Sequence, residues 1–301
     1  MYLRIDKLQY DLPQPKERDP NAAATVQELM GGRFGEMSTL MNYTFQSFNF
    51  RGKKPLKPYY DLIANIATEE LGHIELVAAT INSLLAGPDV KDQEAPADPT
   101  GTPFEFANAA RNAQNFIAGG PGAMPQDSRG MPWTGDNVFS SGNLKLDLLH
   151  NYFLESGARQ QKLRVYEMVD DPVSKALTGY LLVRGGVHQV AYAKALETLT
   201  GVEITKMLPV PNIDASKIPE SKKLMDLGMH LKLYRFSPSD YTDMGQIWRG
   251  PHPEDGQEVF VTDELPEGGE VKDSGHESAA FAPDYDMGEL MEIANKLKIN
   301  I

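Results

Sequence analysis

The sequence predicts an all-α core in which four long helices form a bundle with a long crossover and an extended C-terminal tail. Apolar residues recur at helical spacing in four long segments. A stretch rich in proline and glycine, about 87–140, separates the second segment from the third. After Gly201 prolines become frequent, and few helical or strand patterns remain. With 41% hydrophobic residues, the 301-residue chain can bury a substantial core.

The first two helical segments have recognisable ends. The first, 19–50, begins at Asp19-Pro20, because an aspartate N-cap followed by proline is a typical helix start. The second, about 58–85, stops at Gly87-Pro88, where glycine ends the helix and proline prevents its continuation. Both segments are long enough to be members of a bundle.

The second pair of helices follows the insert, which holds at most one short helix near 103–117. The third helix runs from about 141 to 169, and the fourth opens with Asp171-Pro172 and closes at Gly201. A connection as long as 87–140 can cross from one end of a bundle to the other. The expected result is two antiparallel pairs joined by a crossover, the ferritin-like form of the four-helix bundle.

We therefore divide the chain into a bundle, 1–201, and a tail, 202–301, with a terminal helix near 286–298. The tail carries seven aromatic residues between Tyr234 and Tyr285, whereas flexible tails are poor in aromatics. We expect it to pack on the bundle or on a neighbouring subunit of a homo-oligomer.

Composition excludes several classes of function. The net charge is −13 and basic runs are absent, so DNA and anionic lipid are poor partners. No apolar run reaches the roughly 20 residues that a membrane-spanning helix needs. The first residues, MYLRIDKLQYDLPQP, lack the apolar region of a secretory signal. The sequence contains no cysteine, which excludes disulfides and thiolate ligands and favours the cytoplasm.

The second helix carries charge inside its apolar stripe. Glu70 and His73 share a helical face with apolar residues on both sides: Ile63, Ile66, Ala67, Ile74, Val77, Ile81 and Leu84. Glu69 and Glu75 fall off this face and are expected to be solvated. A buried carboxylate must be paired, protonated or bound to a metal. Glu-x-x-His on a buried face is typical of di-metal carboxylate bundles, although a single occurrence is a weak signal.

The other three helices supply matching residues. Glu36, Glu155 and His188 each lie in the apolar stripe of the first, third and fourth helix. Each could separately be an ion pair or a satisfied core group, but one metal site explains all of them together. Two halves related by a pseudo-twofold axis would hold two metals, with Glu70 as the bridge. Oxygen and imidazole donors suit manganese and iron better than soft metals.

Four motifs occur together and in order: GGRFGEMSTLMNY, IATEELGHIE, LDLLHNYFLE and LLVRGGVHQ. They resemble the ligand-bearing helices of the manganese catalases, the non-heme catalases. The resemblance implies disproportionation of hydrogen peroxide to water and dioxygen by two-electron Mn(II)₂/Mn(III)₂ cycling. It implies two manganese ions per subunit, with Glu36 and His73 on one, Glu155 and His188 on the other, and Glu70 between them. It also implies a homo-oligomer, usually a hexamer.

The chain departs from some family members at two positions. An arginine before the third-helix glutamate and a glutamate three residues before the fourth-helix histidine are replaced by Leu154 and Gly185. Lys162, two helical turns after Glu155, could place positive charge over the site, or could extend to solvent instead. Tyr43 could hydrogen-bond a ligand carboxylate, or could be an ordinary core tyrosine.

A structural calcium ion is implied by another branch of the family. Asp61, with Asn65, would contribute to it from the outer side of the second helix, between subunits. The remaining histidines, 150, 230, 252 and 276, share none of the ligand stripes. Two other functions remain open: a ferritin-like di-iron oxidase, and a non-enzymatic structural relative that kept the bundle.

Overall fold

In a computed structural model, residues 7–88, 122–266, 268–271 and 287–297 are described. The bundle helices are α2 (Glu36–Phe48), α3 (Lys57–Ala86), α4 (Leu144–Met168) and α5 (Pro172–Thr200), and α1 (Pro20–Gly31) packs against α3. The most extensive helix contacts are those of α2 with α3 and of α4 with α5. Each of these pairs is joined by a short connection, so its helices run antiparallel.

Local sequence signals place most helix ends correctly. The Asp19 side chain accepts hydrogen bonds from the backbone N–H groups of Asn21 and Ala22, and Asp171 caps α5 in the same way. Gly201 closes α5 with φ of 73°, a left-handed conformation that favours glycine. The third helix begins at Leu144, slightly later than expected. The short helix expected near 103–117 lies outside the described residues.

The expectation of one continuous first helix was wrong. The segment forms α1 and α2, which are separated by a turn over 32–35. Gly32 and Gly35 are extended there, with ψ of 168° and 170°. A Cβ on Gly32 would lie 2.4 Å from the Glu28 carbonyl oxygen, so the turn requires a residue without a side chain. The break makes Glu36 the first residue of α2.

The described part of the tail contains α6 (Pro219–Asp226), β1 (Lys232–Tyr234), β2 (Phe260–Thr262) and α7 (Met287–Leu297). The two strands pair in parallel, with Leu233 opposite Val261. Trp248 is buried in one hydrophobic cluster with residues of α3 and α5 and donates hydrogen bonds to two tail carbonyls. The terminal helix expected near 286–298 is confirmed. The division into two domains, and any contact of the tail with a neighbouring subunit, remain predictions.

The tail also covers the face of α3 that was expected to point outwards. Asp61 and Asn65 were expected on this outer side of the helix, and tail residues Asp243 and Tyr234 bury them there. Asp61 pairs with Lys57 and accepts a hydrogen bond from the Asp243 backbone N–H. The reason is tertiary: the side of a helix opposite the bundle axis is exposed only if no later segment packs on it. The calcium ion at Asp61 remains a prediction.

Trp248→Ala should lower the free energy of unfolding by about 3–5 kcal/mol, because it empties a fully packed site between tail and bundle. Urea unfolding followed by circular dichroism measures this. Phe48→Ala is the control, because 74% of Phe48 is already exposed. Equal small losses in both variants would mean that the tail does not stabilise the bundle.

No helix among the described residues combines the length and the apolar character needed to cross a membrane.

Candidate metal centre

The five residues that were expected to bind metal converge in the middle of the bundle. All five are buried, at 1% exposure or less. Their donor atoms form two groups, Glu36 with Glu70 and His73, and Glu70 with Glu155 and His188. Within each group the atoms lie within 4.8 Å of one another. Glu70 belongs to both groups, as a carboxylate shared by two sites would.

Four helices position these side chains. Glu36 lies in the first turn of α2, immediately after the glycine turn. Glu70 and His73 are three residues apart on α3 and therefore share a face. Glu155 of α4 and His188 of α5 come from the second helix pair. The two halves of the bundle thus supply matching sets of side chains, apart from Glu70.

The shared position of Glu70 is visible in its distances. Its Oε2 lies 2.8 Å from His73 Nδ1, and its Oε1 lies 2.8 Å from His188 Nδ1. Each Nδ1 also lies 3.5 Å from the other carboxylate of its group, that of Glu36 or Glu155. The two imidazole rings are stacked, with centroids 5.6 Å apart. Both rings therefore present Nδ1 to the carboxylates.

Glu69 was expected to be solvated, and this expectation was wrong. It is fully buried on the opposite side of the imidazoles, where its two oxygens lie 3.6 Å from His73 Nε2 and 3.2 Å from His188 Nε2. Arg184 of α5 binds it through Nε at 2.6 Å and Nη2 at 3.1 Å. A sequence signal for this pair existed: Arg184 lies one turn before His188 in a long apolar stretch, and a buried cation needs a carboxylate. Glu75, the other residue expected to be solvated, is partly exposed.

Lys162 and Tyr43 both point into the site. Lys162 is 2% exposed, and its Nζ lies 2.9 Å from Glu36 Oε1, so it does not extend to solvent. Tyr43 is fully buried and donates a 2.6 Å hydrogen bond to Glu155 Oε1. Lys162 follows Glu155 by seven positions and contacts Glu36, while Tyr43 follows Glu36 by seven positions and contacts Glu155. The terminal carboxylate of each half is therefore held by a side chain from the other half.

Gly185 packs closely against this arrangement. A Cβ at this position would lie 3.3 Å from Lys162 Nζ and 3.6 Å from Glu155 Oε2. A carboxylate side chain here, as in some relatives of the family suggested by the sequence, would displace the Lys162 ammonium group. The glycine therefore allows Lys162 to lie over the carboxylates.

The charges of the cluster explain how it tolerates burial. Burial opposes ionisation of Glu36, but Lys162 and then His73 hold its pKa well below the usual range. Burial likewise opposes ionisation of Glu69, but Arg184 and then His188 hold its pKa well below the usual range. Burial would lower the pKa of Lys162, yet Glu36 and then Glu155 raise it above its ordinary value. Four carboxylates thus face two permanent cations, which leaves the pocket attractive to further positive charge.

In the metal-free protein, protons on the imidazoles supply that charge. Burial would lower the pKa of His73, but the carboxylates of Glu70, Glu36 and Glu69 raise it to about 10. Burial also opposes protonation of His188, whose pKa is nevertheless raised well above the ordinary value by Glu69 and Glu70. A metal ion binds the neutral ring, so it must displace these protons.

Mn²⁺ affinity should therefore rise as pH rises below about 10, by up to roughly tenfold per pH unit for each proton displaced. Titration calorimetry over about pH 6.5 to 8.5, in two buffers of different ionisation enthalpy, measures the affinity and the protons released. Release on the order of one proton per histidine is expected. A pH-independent affinity without proton release would contradict this account.

The residues fit metal ions. Glu155 Oε2 is buried and lacks a hydrogen-bond partner among the described residues. Such atoms are rare in native proteins, and a bound ion or water is a common reason for them. Among the described residues, no third group of this kind occurs, and His150, His230 and His252 belong to neither group. His230 instead pairs with Asp255 at 2.7 Å. His276 lies outside the described residues.

Comparison with known proteins decides the family. The family model for manganese containing catalase matches residues 1–301 of this chain. The chain belongs to the manganese catalase family. Membership implies manganese as the metal and hydrogen peroxide as the substrate of the family.

Individual relatives of the family agree with this assignment. The uncharacterized protein YjqC of Bacillus subtilis is 34% identical over 262 residues, which are 86% of this chain and 88% of that protein. A manganese catalase of Bacillus subtilis is 39% identical over 191 residues, 63% of this chain and 68% of its own length.

A solved structure supports the fold. The wild-type manganese catalase KatB from Anabaena superposes with a TM-score of 0.55 at 22% identity and covers 81% of this chain and 94% of its own. At this identity the likeness shows the fold alone. The predicted all-α, ferritin-like core is thereby confirmed.

Proposed function

We propose that this chain disproportionates hydrogen peroxide to water and dioxygen at two manganese ions per subunit. Glu36 and His73 would hold one ion, Glu155 and His188 the other, and Glu70 would bridge them. The observation that carries the proposal is the pair of buried three-residue donor groups that share Glu70. Membership of the manganese catalase family supports manganese as the metal and hydrogen peroxide as the substrate.

The reaction needs both electrons and protons to balance. One peroxide gains two electrons and two protons and becomes two water molecules, while a second peroxide loses two electrons and two protons and becomes dioxygen. When bound, the manganese pair supplies and regains the two electrons by cycling between Mn(II)₂ and Mn(III)₂. The task of the chain is to hold the donors fixed and to control charge and protons around them.

Lys162 and Tyr43 perform this task at the two terminal carboxylates. The raised pKa of Lys162, caused by Glu36 and then Glu155 against the effect of burial, keeps its Nζ protonated beside Glu36. Burial, and then Glu155, raise the pKa of Tyr43 well above its usual value, so Oη keeps its proton in the hydrogen bond to Glu155. Gly185 leaves both groups uncrowded, because even a Cβ at this position would lie only 3.3 Å from Lys162 Nζ and 3.6 Å from Glu155 Oε2.

The two alternatives fit less well. A ferritin-like di-iron oxidase is expected to have a sixth protein ligand, a carboxylate, or a hydrophobic substrate pocket, and the position expected for that carboxylate is Gly185. A non-enzymatic relative is expected to lose ligands, whereas all five donors are present and buried. We further propose a homo-oligomer, a hexamer, in the cytoplasm. Large exposed apolar side chains such as Phe48, Phe153 and Met168 are consistent with subunit contacts.

Metal analysis combined with an activity assay tests the function. The protein is produced in manganese-supplemented and in iron-supplemented medium, its metals are counted per chain, and oxygen release from peroxide is followed with an electrode. Two manganese ions with oxygen release are expected, and both should disappear after chelation. Two iron ions without oxygen release would favour the di-iron oxidase.

A further inference from the structure

The Glu69–Arg184 ion pair lies behind both imidazoles. Both partners have no exposed surface, although Glu69 lies one residue from Glu70 and Arg184 is one of the longest side chains in the core. A buried ion pair is weak evidence of a stabilising role, because an apolar pair of similar volume is often as stable. Its position therefore calls for another role.

One carboxylate serves two rings in this arrangement. Glu69 Oε1 faces His73 Nε2 and Glu69 Oε2 faces His188 Nε2, while both Nδ1 atoms face Glu70. A neutral imidazole carries one proton and one lone pair, and a carboxylate beside Nε2 favours the tautomer with the proton on that atom. The lone pair of Nδ1 is then directed at the donor groups in both halves of the site.

Arg184 fixes Glu69 in this position. Its two contacts with the carboxylate form a bidentate pair, which restricts rotation and keeps Glu69 on the Nε2 side of the rings. Glu69 therefore does not turn towards the Nδ1 side, where it would compete with Glu70.

Arg184 is held in turn by the C-terminal tail. Its Nη1 donates to the carbonyl oxygens of Met229 and Lys232, both at 2.8 Å, and its guanidinium group lies 4.7 Å from the centre of the Tyr234 ring. These three tail residues thus contact Arg184, which binds Glu69, and Glu69 in turn lies beside both imidazole rings. The contacts run without a break from the tail to Arg184, to Glu69 and to both imidazoles.

We propose that the Glu69–Arg184 pair fixes the orientation and tautomer of both metal-binding imidazoles, and that tail segment 229–234 is a positioning element for metal retention. The proposal rests on the proposed function, because it takes His73 and His188 as metal ligands. It predicts that one substitution outside the donor set weakens both metal sites together.

The test compares Mn²⁺ affinity, measured by titration calorimetry, in Glu69→Gln, Arg184→Lys and wild-type protein. Glu69→Gln should weaken binding at both sites by about 10- to 100-fold, the usual effect of losing a partner behind a ligand histidine. Arg184→Lys keeps the charge but loses the bidentate contact, so it should weaken both sites to a smaller degree. The absorption spectrum of Co²⁺ bound in place of manganese should shift, because it reports the geometry of the donors.

Lys194→Met is the matched control. Like Arg184, Lys194 is a buried cation of α5 that donates to tail carbonyl oxygens, but its partners, Arg249 and Pro251, lie outside segment 229–234. This variant should lose stability in urea but keep the wild-type metal affinity and Co²⁺ spectrum. If it loses as much affinity as Glu69→Gln, or if Glu69→Gln binds as wild type does, the pair has only a structural role and the proposal fails.

Two further outcomes are decisive. If Glu69→Gln does not fold, Arg184→Lys carries the test, and its unchanged affinity and Co²⁺ spectrum would overturn the proposal. If the wild-type protein binds manganese but releases no oxygen, the proposed function fails. The ratios of variant to wild-type Mn²⁺ affinity still test the positioning role in that case. Normal oxygen release together with unchanged ratios would refute the positioning role alone.

Discussion

Glu70→Ala should bind no manganese and release no oxygen from peroxide. Among the residues that the structure describes, Glu70 alone lies 2.8 Å from both imidazole Nδ1 atoms and belongs to both donor groups. Its loss leaves each half with one carboxylate and one imidazole, too few to hold a divalent ion against water in an O- and N-donor site. Metal content per chain falls to background, and oxygen release falls to the uncatalysed rate.

Glu75→Ala is the control for this experiment, because it changes another carboxylate of α3 that lies outside the two donor groups. It should keep its metals and its activity. Circular dichroism must show that both variants retain their helices. Retention of two manganese ions by folded Glu70→Ala would refute the bridging role of Glu70.

Lys162→Met should retain both metal ions but release oxygen roughly 10²- to 10³-fold more slowly, as on removal of one hydrogen-bond donor aimed at developing charge in other active sites. Methionine keeps most of the buried volume and removes only the ammonium group, which lies 2.9 Å from Glu36 Oε1 and beside Gly185. Metal analysis and steady-state oxygen release, measured on the same preparation, separate binding from turnover.

The matched control for Lys162 is Lys194→Met. Lys194 is also a buried lysine of the bundle, but its Nζ donates to the carbonyl oxygens of Arg249 and Pro251 in the tail. Removing it should lower stability and leave turnover of the remaining folded protein unchanged. If both variants turn over peroxide as wild type does, Lys162 is a structural residue.

Much of the metal centre could be predicted from helical periodicity. Glu70 and His73 occupy an otherwise apolar stripe three residues apart, and Glu36, Glu155 and His188 interrupt the stripes of the other helices. Helical periodicity alone identifies each of these residues. A charged side chain within the apolar stripe of a helix points into the bundle, whichever helices surround it. The structure brings all five together, and the assignment of metals to them remains a prediction.

The glycine turn over 32–35 shows where local reasoning failed. The apolar periodicity runs through 19–50 and predicts one helix, but the chain turns at Gly32, where a Cβ would clash with the Glu28 carbonyl oxygen. Periodicity describes which face is apolar and is insensitive to a short interruption that preserves the face. Apolar periodicity therefore could not predict that Glu36 lies at the start of a helix.

The helix ends at Asp19, Asp171 and Gly201 and the apolar stripes follow from local sequence, because capping and periodicity depend on residues within a few positions of each other. The burial of further charged side chains depends instead on long-range packing. Glu69 meets Arg184, and Asp61 lies under the tail, because segments more than a hundred residues away pack on α3. Burial of a side chain depends on which distant segment covers it, and the apolar periodicity of a single helix does not specify that segment.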